Sequence, residues 1–297
     1  MATIHKSGFG RAKVRAAREH SSPAGSKNQP HGFRIAGVQM ASGPNVSANL
    51  NEAGRLIEMA VAEGAKLVAL PEYFAIMGMR PTDKVKVRER DGDGPIQAFL
   101  AETAARLGIW LVGCSVPMET PVDGKIFNSC QVYDDTGKMV ARYDKIHLFS
   151  LDLGKEKFAE QGTIEPGKHV KVVDSPFGRI GLSVCYDLRF PELYRAMNQP
   201  DLILVPAAFT ATTGRAHWET LLRARAIENL AWVLAPAQGG KHPNGRQTHG
   251  HSMVVDPWGK VVAKRAAGPG VVIADIDPTF QAKMRLSLPA LAHRVLQ

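Results

Sequence analysis

Cys185 closes the apolar run "GRIGLSVC" (178–185), Glu72 closes "AKLVALPE" (65–72), and Lys145 follows a strand-like stretch in "RYDKIHLF" (142–149). The carboxyl ends of strands form the edge where open α/β sheets bind their ligands. A thiol at that edge is a candidate nucleophile, because backbone N–H groups of a following turn or helix start lower a thiol pKa and can hold a developing oxyanion. Such a nucleophile needs a proton acceptor. None of the ten histidines is marked out for this by its context. Glu72, in contrast, emerges from "LVALP" partly desolvated, which makes a carboxylate a stronger base. Each residue also has a plainer reading, as a packed thiol, a structural carboxylate or a surface lysine. Their recurrence at strand ends sets the three apart. Cys114 and Cys130 lie inside strand patterns among apolar neighbours and read as small hydrophobes.

The elements that must carry these residues are legible from residue 34 onward. "RIAGVQM" (34–40), the run ending at Glu72 and "IWLVGCSVP" (109–117) read as strands. Helices are expected over 47–64, capped by Ser47 and closed by Gly64, and over 94–108, with Pro95 in the first turn and Gly108 at the end. "FNSCQVYDDTGKMVARYDK" (127–145) reads as a hairpin turning at residues 134–137, and 251–265 as a second one turning at 256–259. Buried strands are expected at 178–185, 202–208, 231–238 and 270–277, with helices over 191–199 and 217–230. Alternating strands and helices argue for helix-covered sheets, and the hairpins argue against a purely parallel one. With no linker-like break after residue 33, this is one α/β domain over 34–297.

The net charge of +9 is unevenly placed. Residues 1–33 hold six Lys and Arg against Glu19 alone, a net of +5, in a Ser-, Gly- and Pro-rich stretch without helical periodicity. That segment reads as a disordered basic leader, with some transit-peptide character but no secretory h-region. The body offers no basic stripe, so a nucleic-acid-binding module is disfavoured. Three scattered cysteines make neither a disulfide framework nor a CxxC metal site, and point to a reducing, cytoplasmic setting. No apolar run reaches the ~18 to 20 residues of a membrane span. Phosphate-cradling glycine motifs, GxSxG and HExxH are all missing. His249 and His251, with His242 nearby, lack a carboxylate or cysteine neighbour and make a poor metal site.

"LVALPEYF", "RYDKIHLF" and "GLSVCYDLRFPELYR" resemble the three signature segments of the nitrilase, or carbon–nitrogen hydrolase, superfamily. "FAEQGTIEPG" (158–167), "HWETLLRARAIENLAWVLAPAQGG" (217–240) and "GHSMVVDPWG" (250–259) match as well, so the resemblance spans residues 34 to about 294. It implies an αββα sandwich that dimerises, and hydrolysis without metal or organic cofactor. The implied catalytic set is Glu72, Lys145 and Cys185, with Glu160 as a second glutamate holding the lysine or water. Glu72 would take the thiol proton, and Lys145 with the Tyr186 backbone N–H would hold the oxyanion. A thioester intermediate and release of acid plus ammonia follow.

True nitrilases of the superfamily usually carry Trp-Glu after the nucleophile, where this chain has Tyr186-Asp187. That departure favours amides over nitriles. The chain most resembles the deaminated-glutathione amidases, with the ω-amidases of 2-oxo-acid amides as near relatives and N-carbamoyl amino acid amidohydrolysis as a further alternative. An acyl transferase or a non-enzymatic binding protein are the readings of another class. The substrate expected is a small amide whose far end is anionic. Arg189 is suited to bind its carboxylate, or else to pair with Glu192 or another acid. Phe209 lines the pocket mouth or packs in the core, and His217 and Trp218, expected to begin a helix near the same edge, serve either purpose. "MRPTDKVKVRERDGDG" (79–94) is the longest polar stretch and the candidate lid.

Overall fold

The computed structural model describes residues 32–154 and 157–295. The expected leader therefore lies, apart from its last two residues, outside the described residues. Its boundary moves, because Phe33 already belongs to a strand: it pairs with Ile276 and packs its ring 4.7 Å from that of Phe177.

Along the chain come β1 (Phe33–Gln39), α1 (Val46–Ala62), β2 (Leu67–Ala69), a short α2 (Asp83–Lys86), α3 (Pro95–Leu107), β3 (Trp110–Glu119), β4 (Ile126–Tyr133) and β5 (Met139–Asp144). A small hairpin follows, β6 (Ser150–Asp152) with β7 (Lys157–Ala159), then β8 (Val172–Ser175), β9 (Gly178–Leu182), α4 (Pro191–Ala196), β10 (Leu202–Leu204), α5 (Ala211–Asn229) and β11 (Trp232–Ala235). A second small hairpin, β12 (Gly239–Lys241) with β13 (Gln247–His249), leads to β14 (Ser252–Val255), β15 (Val261–Arg265), β16 (Gly270–Ile276) and α6 (Pro278–Ser287).

Two six-stranded sheets result, ordered β16-β1-β2-β3-β4-β5 and β15-β14-β11-β10-β9-β8. Each has three parallel strands at its centre and antiparallel ones outside, as the hairpins require. Side chains alternate across a strand. Ile35, Leu67 and Ala69 therefore enter the core shared with the second sheet, while Ala36, Val38 and Val68 meet Leu56 and Ile57 of α1 and Leu100 and Ala104 of α3. On the second sheet Leu234 reaches toward Gly37 of the first. The opposite face of that sheet carries Val233 and its ladder partner Ile203, in one core with Leu222 and Ala226 of α5. The layers are helix, sheet, sheet, helix: the expected αββα sandwich. Full burial of one such aliphatic side chain is worth ~1.5 to 3 kcal/mol, so the inter-sheet core fixes the separation of the two sheets.

Several boundaries differ from expectation, β2, β10 and β11 being shorter than the apolar runs that hold them, and three differences are specific. Helix α1 is capped by Asn45, whose Oδ1 accepts from the Ala48 N–H at 2.9 Å, and not by Ser47. Helix α5 begins six residues before His217, capped by Thr210, so His217 and Trp218 lie in its second turn. The expected strand over 178–185 stops at Leu182.

Candidate active site

Glu72 leaves the first sheet just beyond β2. Pro71 has no N–H to offer a ladder, and the chain turns inward there, leaving the Glu72 side chain 1% exposed. Lys145 follows β5 directly and is fully buried, its N–H tied to the Asn128 carbonyl at 2.9 Å. Cys185 comes from the second sheet. After β9, the Ser183 N–H still reaches the Leu204 carbonyl and the Cys185 N–H the Pro206 carbonyl. The backbone then turns into a 3₁₀ segment, Cys185–Arg189, with Cys185 at φ +51°. A non-glycine residue in that region is strained, and the strain marks the point where strand gives way to turn.

The Lys145 ammonium donates to Glu72 Oε1 at 2.9 Å and to Glu160 Oε2 at 2.8 Å. Glu72 is held further by Asn128 Nδ2 at 3.3 Å and by the Ala208 N–H at 2.9 Å. Glu160, from the 3₁₀ turn Glu160–Gly162 after β7, also accepts from the Phe149 N–H at 2.8 Å and the Tyr73 hydroxyl at 2.7 Å. Burial acts to strip the charge from Lys145, but the carboxylates of Glu160 and Glu72 outweigh it and hold the ammonium well above its ordinary pKa. Burial likewise works against an ionised Glu160, yet Lys145 and the two other donors keep its carboxyl below the usual range. Burial and then the neighbouring Glu72 carboxylate push the Cys185 thiol well up, against the pull of Lys145. Both influences favour the protonated thiol, which faces the same chamber as Glu72. The geometry can pass its proton to that carboxylate as the sulfur attacks, with a fixed ammonium alongside. Tyr186 is the second residue of the 3₁₀ segment, where the N–H groups of a helical start are left without intrahelical acceptors.

Asp187 escaped the sequence reading, which registered it only as a departure from Trp-Glu. It is fully buried and accepts four hydrogen bonds: from the Val184 N–H (2.8 Å), the His147 N–H (3.0 Å), His147 Nδ1 (2.7 Å) and the Tyr143 hydroxyl (2.8 Å). It thereby ties the cysteine's turn to the segment carrying Lys145. Arg225 of α5 clamps the far end of that turn, donating Nε and Nη2 to the Leu188 carbonyl at 3.1 and 2.8 Å. Asn128 was missed too, although a polar residue inside "IFNSCQVY" is a signal. Its Oδ1 accepts from Ser115 Oγ at 2.7 Å, which aims the amide at Glu72.

Cys185, Glu72, Glu160 and Tyr186 line one narrow chamber with Arg189, Ala208, Phe209 and Arg246. Arg189 does not pair with Glu192. Its Nη2 donates to His217 Nδ1 at 3.1 Å, and its guanidinium lies 5.6 Å from the Phe209 ring centroid and 5.9 Å from that of Tyr186. Phe209 combines both expected roles, facing the chamber while packing 4.8 Å from Trp218. Of the candidate lid, Met79, Arg80, Pro81 and Lys84 border the cleft outside the chamber. Glu89 instead turns inward and caps α3, accepting from the Ile96 and Gln97 N–H groups at 2.6 and 3.1 Å.

Residues 34–285 match the Carbon-nitrogen hydrolase family. A deaminated glutathione amidase of Synechocystis sp. is 42% identical over 269 residues, 89% of this chain and 98% of that protein. The omega-amidase NIT2-B of Xenopus laevis is 38% identical over 88% of this chain and 95% of its own. Among solved structures, Nit3 of Saccharomyces cerevisiae, a member of branch 10 of the nitrilase superfamily, superposes with a TM-score of 0.79 at 31% identity, over 90% of this chain and 97% of that one. Side chains brought from two sheets to one chamber and matches over most of the chain agree: the chain belongs to the carbon–nitrogen hydrolase family and is a hydrolase of carbon–nitrogen bonds other than peptide bonds.

Proposed function

We propose that the protein is a deaminated glutathione amidase, hydrolysing a small carboxylate-bearing amide through a thioester on Cys185. The observation that carries this reading is the Glu72–Lys145–Glu160 ladder beside Cys185, in a chamber whose wall holds the Arg189 guanidinium. The names of the amidases aligned above support the substrate class. Cys185 Sγ attacks the amide carbonyl carbon while its proton passes to Glu72. The oxyanion lies between Lys145 Nζ and the Tyr186 N–H, and Arg189 holds the acyl half by its carboxylate. Glu72 returns the proton to the nitrogen, the C–N bond breaks, and the amine, or ammonia from a primary amide, departs. Water then attacks the thioester, giving one proton to Glu72, which restores the thiol. One water is consumed for each acid and amine formed.

The test is product release from deaminated glutathione, a 2-oxo-acid amide, an N-carbamoyl amino acid and a simple nitrile, each beside Cys185→Ala. Preferential turnover of the first, abolished in the variant, is expected. Preference for the 2-oxo-acid amide would move the protein to the ω-amidases, and silence on all four from folded protein would overturn the reading. The family resemblance also supports a cytoplasmic homodimer, which light scattering after gel filtration checks by a mass twice that of the chain.

A further inference from the structure

Outside the chamber lies a cleft of about 720 Å³, joined to it at Phe149, Glu160, Thr210 and Arg246, which line both spaces. Its walls are cationic. Lys157 pairs with Asp152 at 3.0 Å, but Arg80, Lys84, Arg215 and Arg246 form no ion pair with a described residue. Glu160 is the sole acid in the lining among the described residues, and its charge is already matched by Lys145.

Arg246 stands at the passage from the chamber, and Lys84 lies in the outer cleft beside the same tyrosine ring. Lys84 Nζ lies 5.6 Å from the centroid of the Tyr73 ring, and the Arg246 guanidinium 5.8 Å from the same ring and 5.1 Å from that of Phe158. The Tyr73 hydroxyl is the one that donates to Glu160, so both cations sit one ring away from the catalytic ladder. Arg246 spends Nη2 on the Ala208 carbonyl at 2.6 Å and leaves Nε buried without a hydrogen-bond partner among the described residues. A buried donor left unsatisfied is costly, and a bound anion would satisfy it. In the hydrolase reading, Arg189 takes the acyl half inside the chamber. A substituent on the amide nitrogen then has the cleft as its way out, past Glu160 and Thr210.

We propose that Lys84 and Arg246 form a second anion subsite, for a carboxylate carried by the amine half of the substrate, so that the amide is held by a charge at each end. This rests on hydrolysis at Cys185. The substrates it selects are amides of amino acids or short peptides, in preference to amides of ammonia or of neutral amines.

The experiment compares three amides sharing one carboxylate-bearing acyl half: the primary amide, the ethylamide and the glycine amide. The full chain is assayed for release of the common acid, as wild type, Lys84→Gln and Arg246→Lys. Lys84→Gln is the primary variant because Arg246 also holds Ala208, whose N–H contacts Glu72. In wild type, kcat/KM for the glycine amide should exceed that for the ethylamide about tenfold or more. Lys84→Gln should cut that ratio at least fivefold, mainly through KM, and high salt should narrow it in wild type. An unchanged ratio in Lys84→Gln, or a wild type indifferent to the glycine carboxylate, overturns the subsite. Turnover of the primary amide alone overturns it while leaving hydrolysis at Cys185 standing. No turnover of any of the three, with Cys185 still open to alkylation, removes both.

Discussion

Lys145 is fully buried between two carboxylates, and a buried charge deprived of its partner typically costs ~3 to 5 kcal/mol. In the proposed mechanism Glu72 gains and loses a proton in each cycle, while Glu160 stays paired with the ammonium. Glu72→Gln tests this division. The glutamine keeps the shape but removes both the base and the negative charge that helps to raise the Cys185 thiol. The thiol should then ionise at lower pH than in wild type, so its alkylation by iodoacetamide sets in earlier on a rising pH scale. Amide turnover should fall by about 10²- to 10⁴-fold, the usual weight of a general base. Turnover that rose with the thiol's reactivity, or stayed at the wild-type level, would show that Glu72 is not the base. Lys84 offers a second pH signature. Burial lowers its ammonium to about 8, with Glu160 opposing and Lys145 and Arg246 reinforcing the shift. Preference for a glycine amide should fade as pH rises through that value, because only the protonated lysine attracts the carboxylate.

Much of the element scale was legible, and its errors share a cause. The apolar runs marked the strands, but the residues between strand and site, Leu70 to Glu72 and Ser183 to Cys185, read as strand because they are buried. Burial gives no hint that Cys185 sits at φ +51°. Glu72, Lys145 and Cys185 were readable from strand-end position, whereas Glu160, Tyr186 and Arg189 came from the family resemblance. Asp187, Asn128, Lys84 and Arg246 act through partners distant in sequence, which no local pattern shows. The early start of α5 was hidden by "ATTGRA", a sequence weak in helix propensity. Gly214 explains the weakness: a Cβ there would collide with the Cβ and Cγ of His249, so the helix gives up propensity to pack against β13. Gly214→Ala should thus destabilise the protein by about 1 to 3 kcal/mol, although alanine in an open helix gains up to ~1 kcal/mol. Urea denaturation gives the sign directly, and a stabilised variant would refute this packing argument.

At the scale of the molecule, the site is a junction between two sheets that share a core. Glu72 and Lys145 belong to one and Cys185 to the other, so the carboxylate and the thiol keep their distance only while Ile35, Leu67, Leu182 and Leu234 keep the sheets apart. Every residue assigned a part in the site lies between Glu72 and Arg246, and the sheet core begins with β1 at Phe33. Removal of residues 1–31 should therefore leave kcat/KM and the melting temperature within error of the full chain, and a loss of either would give the leader a part in the fold or the site. The ladder between β1 and β16 has a consequence for synthesis. Phe33 meets Ile276, and Arg34 holds Asp275 at 2.8 Å, across nearly the whole length of the chain. On the ribosome, β1 emerges early and waits with a bare edge until the last strand is made. Such long-range pairing forms slowly, and an open edge invites pairing with another chain. Nascent chains stalled before residue 270 should hence be the species that chaperones must shield, and premature termination there would leave an aggregate and not a slower enzyme.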